Sequence, residues 1–179
     1  MGVIPAYRPW FWKLEHAMSH NALHDFILGR GIKHFSGREV CTLRRLGVTV
    51  DPPPVQWWDR MIPTLELAEE IRARVGHPLV VGNGYRPDPQ NRMVGGARRS
   101  KHKYFRALDL DLPKGYNSHA HQTAFYTAAC AVFLEHGYDA KMGLGLYRPW
   151  RGTRVHIDAG SRRRYWRAKY VRPILDSMR

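Results

Sequence analysis

Cysteine is scarce in this chain: Cys41 and Cys130 are the two among 179 residues. They stand far apart and outside any C-x-x-C spacing, so neither a disulfide framework nor a cysteine-built zinc site is indicated. Long apolar runs are missing as well, and none approaches the roughly 18 residues that a membrane-spanning helix needs. Acidic residues are few, 15 against 29 lysines and arginines, which gives a formal net charge of +14. Such a balance favours encounter with polyanions, whether nucleic acid, envelope polymers or lipopolysaccharide phosphates. No RNP sequence, zinc finger or basic leucine zipper accompanies the charge, so no specific nucleic-acid partner is expected. The opening MGVIPAYRPWFWKLEHAMSH is interrupted by Pro5, Arg8, Pro9 and Lys13, and a secretory signal peptide is not expected from it. The length suits one globular domain, and no internal repeat is visible.

What is present reads as alternating helices and short strands. Residues 10 to 28 have helix-compatible apolar spacing with Gly29 and Gly31 as a stop, and His16, His20 and His24 would form a stripe on that helix. The stripe reads as a polar or partly buried face, because no third ligand is tied to it. Ser36 and Glu39 match a capping box. The stiff DPPPVQ connector leads into a helix ending at Gly76, with Pro63 at a kink or restart. A short buried strand is expected at Leu79 to Val81, and a surface loop from Asp88 to Arg99. RALDLDLP alternates strictly, with Leu108, Leu110 and Leu112 facing one way and Ala107, Asp109 and Asp111 the other. Residues 119 to 137 form a helix capped by Ser118 or Asn117. MGLGLYR and TRVHIDAG are two further strands, joined by a turn around Pro149 to Gly152. The tail from Ser161 is basic with Tyr165, Trp166 and Tyr170 interleaved; it suits either a docked terminal helix or contact with a membrane surface or anionic envelope polymers.

A catalytic zinc site takes three ligands from histidine and carboxylates and leaves a fourth position open. His102, Asp109 and His156 can supply that set if the polar faces of ALDLD and VHID converge. Each element alone is weak and reads more readily as structure: a histidine before a strand, and aspartates on a solvated strand face.

Motif spacing adds a further layer. Gly84, Tyr85, Arg86 and Asn91, then Gly95, Gly96, Ala97, Ser100, His102, Ala107 and Asp109, follow in order the pattern G-Y-R-x-x-x-x-N and G-G-A-x-x-S-x-H-x-x-G-x-A-x-D. A later G-x-G-x-Y and V-H-x-D-x-G are matched by Gly143, Gly145, Tyr147, Val155, His156, Asp158 and Gly160. In these motifs the chain resembles the zinc D-alanyl-D-alanine carboxypeptidases and related phage endolysins, over roughly residues 34 to 166. HFSGREV at 34 to 40 is similar to that family's entry to its domain. Residues 1–33 are then a helical extension, 34–166 the zinc peptidase domain, and 167–179 a basic tail.

The resemblance implies an α+β fold in which a small antiparallel sheet cradles zinc and helices pack on its other face. It implies His102, Asp109 and His156 as Zn2+ ligands and Arg86 as the cation that holds a substrate carboxylate or steadies the oxyanion. Ser100, Tyr85 and Asn91 would help to bind the peptide. The reaction implied is hydrolysis of a bond in a peptidoglycan stem peptide, by a D-Ala-D-Ala carboxypeptidase or an endolysin-type endopeptidase. The enzyme would stay cytoplasmic until released to the cell wall, and a phage origin fits. An inactive zinc-fold module that binds peptidoglycan or serves in a virion is the alternative. Two departures bear on the choice. Phe105 replaces the glycine found in many members, with bulk expected to reshape the loop or narrow the cleft, and Thr153 replaces a glutamate that serves several relatives as general base. Asp158, on the strand face of His156, is the substitute base or else a partner that orients a ligand histidine.

Overall fold

Strict alternation in ALDLD becomes the central strand of a seven-stranded sheet. The computed structural model describes residues 9–137, 139–147, 153–160, 162–166 and 168–178. Helix α1 (Pro9–Gly29) is followed by two-residue strands β1 (Thr42–Leu43) and β2 (Val48–Thr49), then α2 (Ile62–Val75), β3 (Val80–Asn83) and α3 (Asp88–Met93). Strand β4 (Ala107–Asp111), α4 (His119–Glu135), β5 (Gly143–Tyr147), β6 (Arg154–Asp158), β7 (Arg164–Trp166) and α5 (Ala168–Ser177) complete the order. The strands lie in the order β2-β1-β3-β4-β6-β5-β7. Every neighbouring pair is antiparallel except β5 with β7, which is parallel. The fold is therefore α+β, as expected.

Period-two geometry divides this sheet chemically. Leu108 and Leu110 of β4, Leu144 and Leu146 of β5, and Val155 and Ile157 of β6 are fully buried and join one core with Leu65, Ile71, Phe125 and Phe133 of α2 and α4. Losing the side chain of any one of these leucines would cost about 2–5 kcal/mol. The polar members of the same strands fall on the opposite face. Helix α5 packs on α4 and β5, and its Val171 and Leu175 are buried in the same core. Its apolar stripe is thus occupied, while Lys169 and Arg172 are exposed. The docked reading of the tail aromatics fits this: Tyr165 meets Phe133 edge-on at 6.0 Å.

Local signals work much as expected where chain chemistry is strong. The Ser36–Glu39 box closes in both directions, Ser36 N to Glu39 Oε2 at 3.0 Å and Glu39 N to Ser36 Oγ at 3.2 Å, though it opens only a three-residue 3-10 turn. Pro63 sits in the first turn of α2 after a 3-10 segment, Val55–Arg60, and Gly76 closes that helix at φ 75°. Ser118 caps α4 by accepting from His121 N. His20 is buried and bonds the Val50 carbonyl at 3.0 Å, which makes it structural; the His16 side chain lies outside the described residues. So does the turn expected around Pro149 to Gly152. The loop expected from Asp88 to Arg99 contains α3, because Pro89 in the first turn needs no backbone donor there.

Glu69 on α2 ties down the segment after α1. Its Oε1 accepts from the backbone N–H groups of Lys33 and His34, both at 2.7 Å, and its Oε2 meets His34 Nδ1 at 2.5 Å. Burial works to raise its pKa, but the His34 and Lys33 bonds outweigh it and hold the carboxylate below its usual value. The contribution to stability is therefore present above the ordinary glutamate pKa and is lost as pH falls through the lowered one. Glu69→Gln should lower unfolding free energy by about 1 kcal/mol near neutrality, with the gap closing in paired urea titrations as pH falls through the lowered carboxyl pKa.

Phe105 takes the left-handed conformation, φ 55° and ψ 51°, at the end of the 3-10 turn Lys101–Tyr104. That explains why a glycine suits this position. The expectation that its bulk narrows the cleft is corrected: the ring is 0 % exposed, part of the core, and meets Tyr85 edge-on at 5.8 Å. Packing compensates here for backbone strain of about 1 kcal/mol. Phe105→Ala should destabilise by about 3–5 kcal/mol. Phe105→Gly should be the less damaged of the two by about 1 kcal/mol, the reverse of the usual order, as thermal denaturation would show.

Candidate metal centre and cleft

Strand register assembles the site as a grid. Across the polar face, Asp109 of β4 stands opposite Asn83 of β3 and His156 of β6, and His156 opposite Gly145 of β5, which in turn faces Trp166 of β7. One step along, Asp111, Arg154 and Tyr147 align; one step back, Ala107, Asp158, Gly143 and Arg164 do. His102 enters from the 3-10 turn before β4, where its Nδ1 meets the Gly84 carbonyl at 2.8 Å. The strands thus supply two members of a trio that sequence spacing alone could only suggest.

His102, Asp109 and His156 are all buried, and their ligating atoms cluster. His156 Nδ1 is 2.8 Å from Asp109 Oδ1 and 3.2 Å from His102 Nε2, and His102 Nε2 is 3.4 Å from Asp109 Oδ1. Ligand atoms about 2.0–2.1 Å from a tetrahedral zinc lie about 3.3 Å from one another, so the spacing suits the ion. The tautomers agree. His102 Nδ1 donates to a carbonyl, which leaves Nε2 as a lone pair. His156 Nε2 lies 3.3 Å from Asp158 Oδ2, and donation there leaves Nδ1 as a lone pair. Two lone pairs and a carboxylate oxygen thus converge, and something positive belongs among them. A proton answers to two of these atoms; a metal ion meets all three at once.

The electrostatics follow the same geometry. Burial works to raise the Asp109 pKa, but the adjoining His102 and His156 outweigh it and hold the carboxyl well below the ordinary range. Burial pushes His102 down against the pull of Asp109. For His156 burial also acts downward, yet Asp109 and Asp158 together carry it above its usual value. Asn83 Nδ2 donates to Asp109 Oδ2 at 2.9 Å and fixes the carboxylate plane.

Asp158 lies behind His156. It is 0 % exposed, its Oδ2 accepts from Arg164 Nη2 at 2.7 Å as well as facing His156, and its Oδ1 has no hydrogen-bond partner among the described residues. It does not line the cleft. The two glycines of G-x-G-x-Y make room for this arrangement: a Cβ on Gly143 would collide with the Asp158 carboxylate, and one on Gly145 with the Trp166 ring. Trp166 covers His156 edge-on, with centroids 4.9 Å apart.

The trio forms part of the wall of an open cleft of about 1390 Å³. Arg86 and Ser100 line it too. Arg86 Nε donates to Asn91 Oδ1 at 3.1 Å and its Nη2 to Ser100 Oγ at 3.2 Å, so neutral acceptors hold a charged fork, and burial pushes its pKa down. Asn91 is buried beneath the loop, donating to the carbonyls of Gly96 and Ala97. Tyr85 borders a separate proline-walled groove with Pro53, Pro54 and Pro87. Thr153 is buried. Asp111 is the other carboxylate of the cleft and is held by Arg154 through two bonds, 2.7 and 2.6 Å. Asn83, Arg154, Arg164 and Trp166 escaped the sequence reading. Arg154 carried a signal, two residues before His156 on the same strand face; Arg164 and Trp166, in a basic tail, carried none.

No curated protein matches the chain. A family model, Peptidase M15, matches residues 33–142, a span that holds Arg86, Ser100, His102 and Asp109 and ends before His156. With more than half of the chain inside that match, and with a buried His-Asp-His trio set in the cleft, the chain belongs to the Peptidase M15 family.

Proposed function

We propose that this metallopeptidase is zinc-dependent and hydrolyses a peptide bond in a peptidoglycan stem peptide, one involving D-alanine. The observation that carries the reading is the convergence of His102 Nε2, Asp109 Oδ1 and His156 Nδ1 at an open cleft. These three residues would hold the ion. When bound, zinc supplies a water of lowered pKa and Lewis acidity toward the scissile carbonyl. Arg86 would grip a substrate carboxylate or offset charge on the carbonyl oxygen, pre-set by Asn91 and Ser100 so that little side-chain freedom is lost on binding. Asp158 would fix the His156 tautomer, with Arg164 holding the carboxylate in turn. Of the two roles open to Asp158, its burial behind His156 supports this positioning role over that of general base.

The net charge of +14 suits work at an anionic envelope, and an endolysin that reaches the wall only on release is the setting we infer. Among the described residues no helix is long and apolar enough to cross a membrane. The test is digestion of purified sacculi by zinc-loaded protein, with products read by mass spectrometry. New amine termini that disappear with His102→Ala are expected. Zinc bound in full with no new termini would overturn the peptidase reading in favour of a peptidoglycan-binding module.

A further inference from the structure

The cleft spans the sheet from the turn after β1, which contributes Arg44 and Arg45, to Arg164 and Trp166 of β7. Its lining is strongly asymmetric in charge, and the acids it has are engaged. Asp109 belongs to the metal trio and Asp111 is held by Arg154, while Arg164 is turned to Asp158. Arg44 and Arg45 differ from these. Both are exposed, they are consecutive in one 3-10 turn closed by Gly47 at φ 66°, and among the described residues neither forms an ion pair. Two like charges on consecutive residues at one cleft wall repel each other, and an anion there relieves that repulsion.

Position gives the anion an address. Strand β1 is two strands from β4 in the sheet, and neighbouring strands lie about 4.8 Å apart, so the arginine pair stands about 10 Å across the sheet from the strand that carries Asp109. An extended peptide advances about 3.3 Å per residue, and about three residues cover that distance. We propose that Arg44 and Arg45 form a specificity subsite for a second carboxylate on the peptide substrate, about three residues from the bond cleaved. The substrate class is thus an acidic peptide anchored at two points, one carboxylate near Arg86 and another on this pair. The inference rests on the peptidase reading above.

The test uses zinc-loaded protein and two synthetic stem-type peptides that differ only in a carboxylate or a carboxamide at the third residue from the scissile bond. The carboxylate peptide should be favoured by roughly five- to thirty-fold in kcat/KM, mostly through KM, and the preference should shrink as salt rises. In the Arg44→Gln, Arg45→Gln double variant the ratio between the two peptides should fall towards one, and in the double lysine variant part of it should return. Equal cleavage of the two peptides by the parent protein, or an undiminished ratio in the glutamine variant, overturns the subsite. Cleavage of neither peptide overturns the peptidase reading instead. In that event calorimetric affinities of the same peptides decide the subsite: tighter binding of the carboxylate form that the glutamine variant loses supports it, and equal affinity overturns it.

Discussion

Asp109→Asn should give a folded protein that neither retains zinc through dialysis nor cleaves peptidoglycan. Asp109 is the anion of the trio, 7 % exposed, with Oδ1 aimed at both histidine lone pairs and Oδ2 held by Asn83. An asparagine can keep its oxygen toward the Asn83 amide and turn its own amide toward His102 and His156, which satisfies every hydrogen bond of the metal-free protein. What it cannot supply is a negative ligand. The loss of zinc affinity should therefore exceed the about 10- to 100-fold that removing an outer partner costs. Elemental analysis after dialysis, with circular dichroism as the folding control, reads the first half of the expectation. Sacculus digestion reads the second, and thermal denaturation checks the loss of zinc independently. Zinc at about 100 to 1000 times its Kd should stabilise the parent protein by about 2.7–4.1 kcal/mol, and the variant should show no such shift. A variant that kept one equivalent of zinc would remove Asp109 from the ligand set.

Much of this site was legible because period two is a strong code. ALDLD and VHID announced which face each aspartate and histidine would take, and β4 and β6 keep that alternation residue for residue. Register between them was not legible, since the Asp109–His156 pairing joins positions 47 apart and is set by the core leucines and by the helices packed on them. The two-residue strands β1 and β2 carry too few residues for a pattern. Strand β7 was hidden in a basic tail, and with it the parallel pairing that brings Arg164 to Asp158 and Trp166 over His156. Phe105 shows a different limit. As a departure from a glycine motif it suggested a changed cleft, whereas the backbone turn it occupies sends the ring into the core, where cleft shape is not decided.

Asp158→Asn separates the two roles that sequence left open for this residue. If the carboxylate positions His156, as its burial and its bonds to His156 and Arg164 indicate, the substitution weakens the histidine as a ligand while leaving the reacting atoms untouched. Zinc affinity should then fall by about 10- to 100-fold, and kcat measured at saturating zinc should return to within about tenfold of the parent. A general base behaves otherwise: its loss lowers kcat by about 10²- to 10⁴-fold however much zinc is added. The amide can set its oxygen where Oδ2 stands and accept from both His156 Nε2 and Arg164 Nη2, with its NH2 at the unpartnered Oδ1 position, so the two bonds can persist and what is lost is the negative charge. Arg164→Gln supplies the second reading. It removes the guanidinium that holds Asp158 without changing the carboxylate itself, so a positioning role predicts a smaller loss of zinc affinity in the same direction, again recovered at saturating metal. A base role predicts no change in affinity at all. Zinc titrations of both variants, followed by kcat at saturation, would decide between them, and a kcat deficit in Asp158→Asn that persists at full zinc occupancy would return the carboxylate to the chemistry of the cleft.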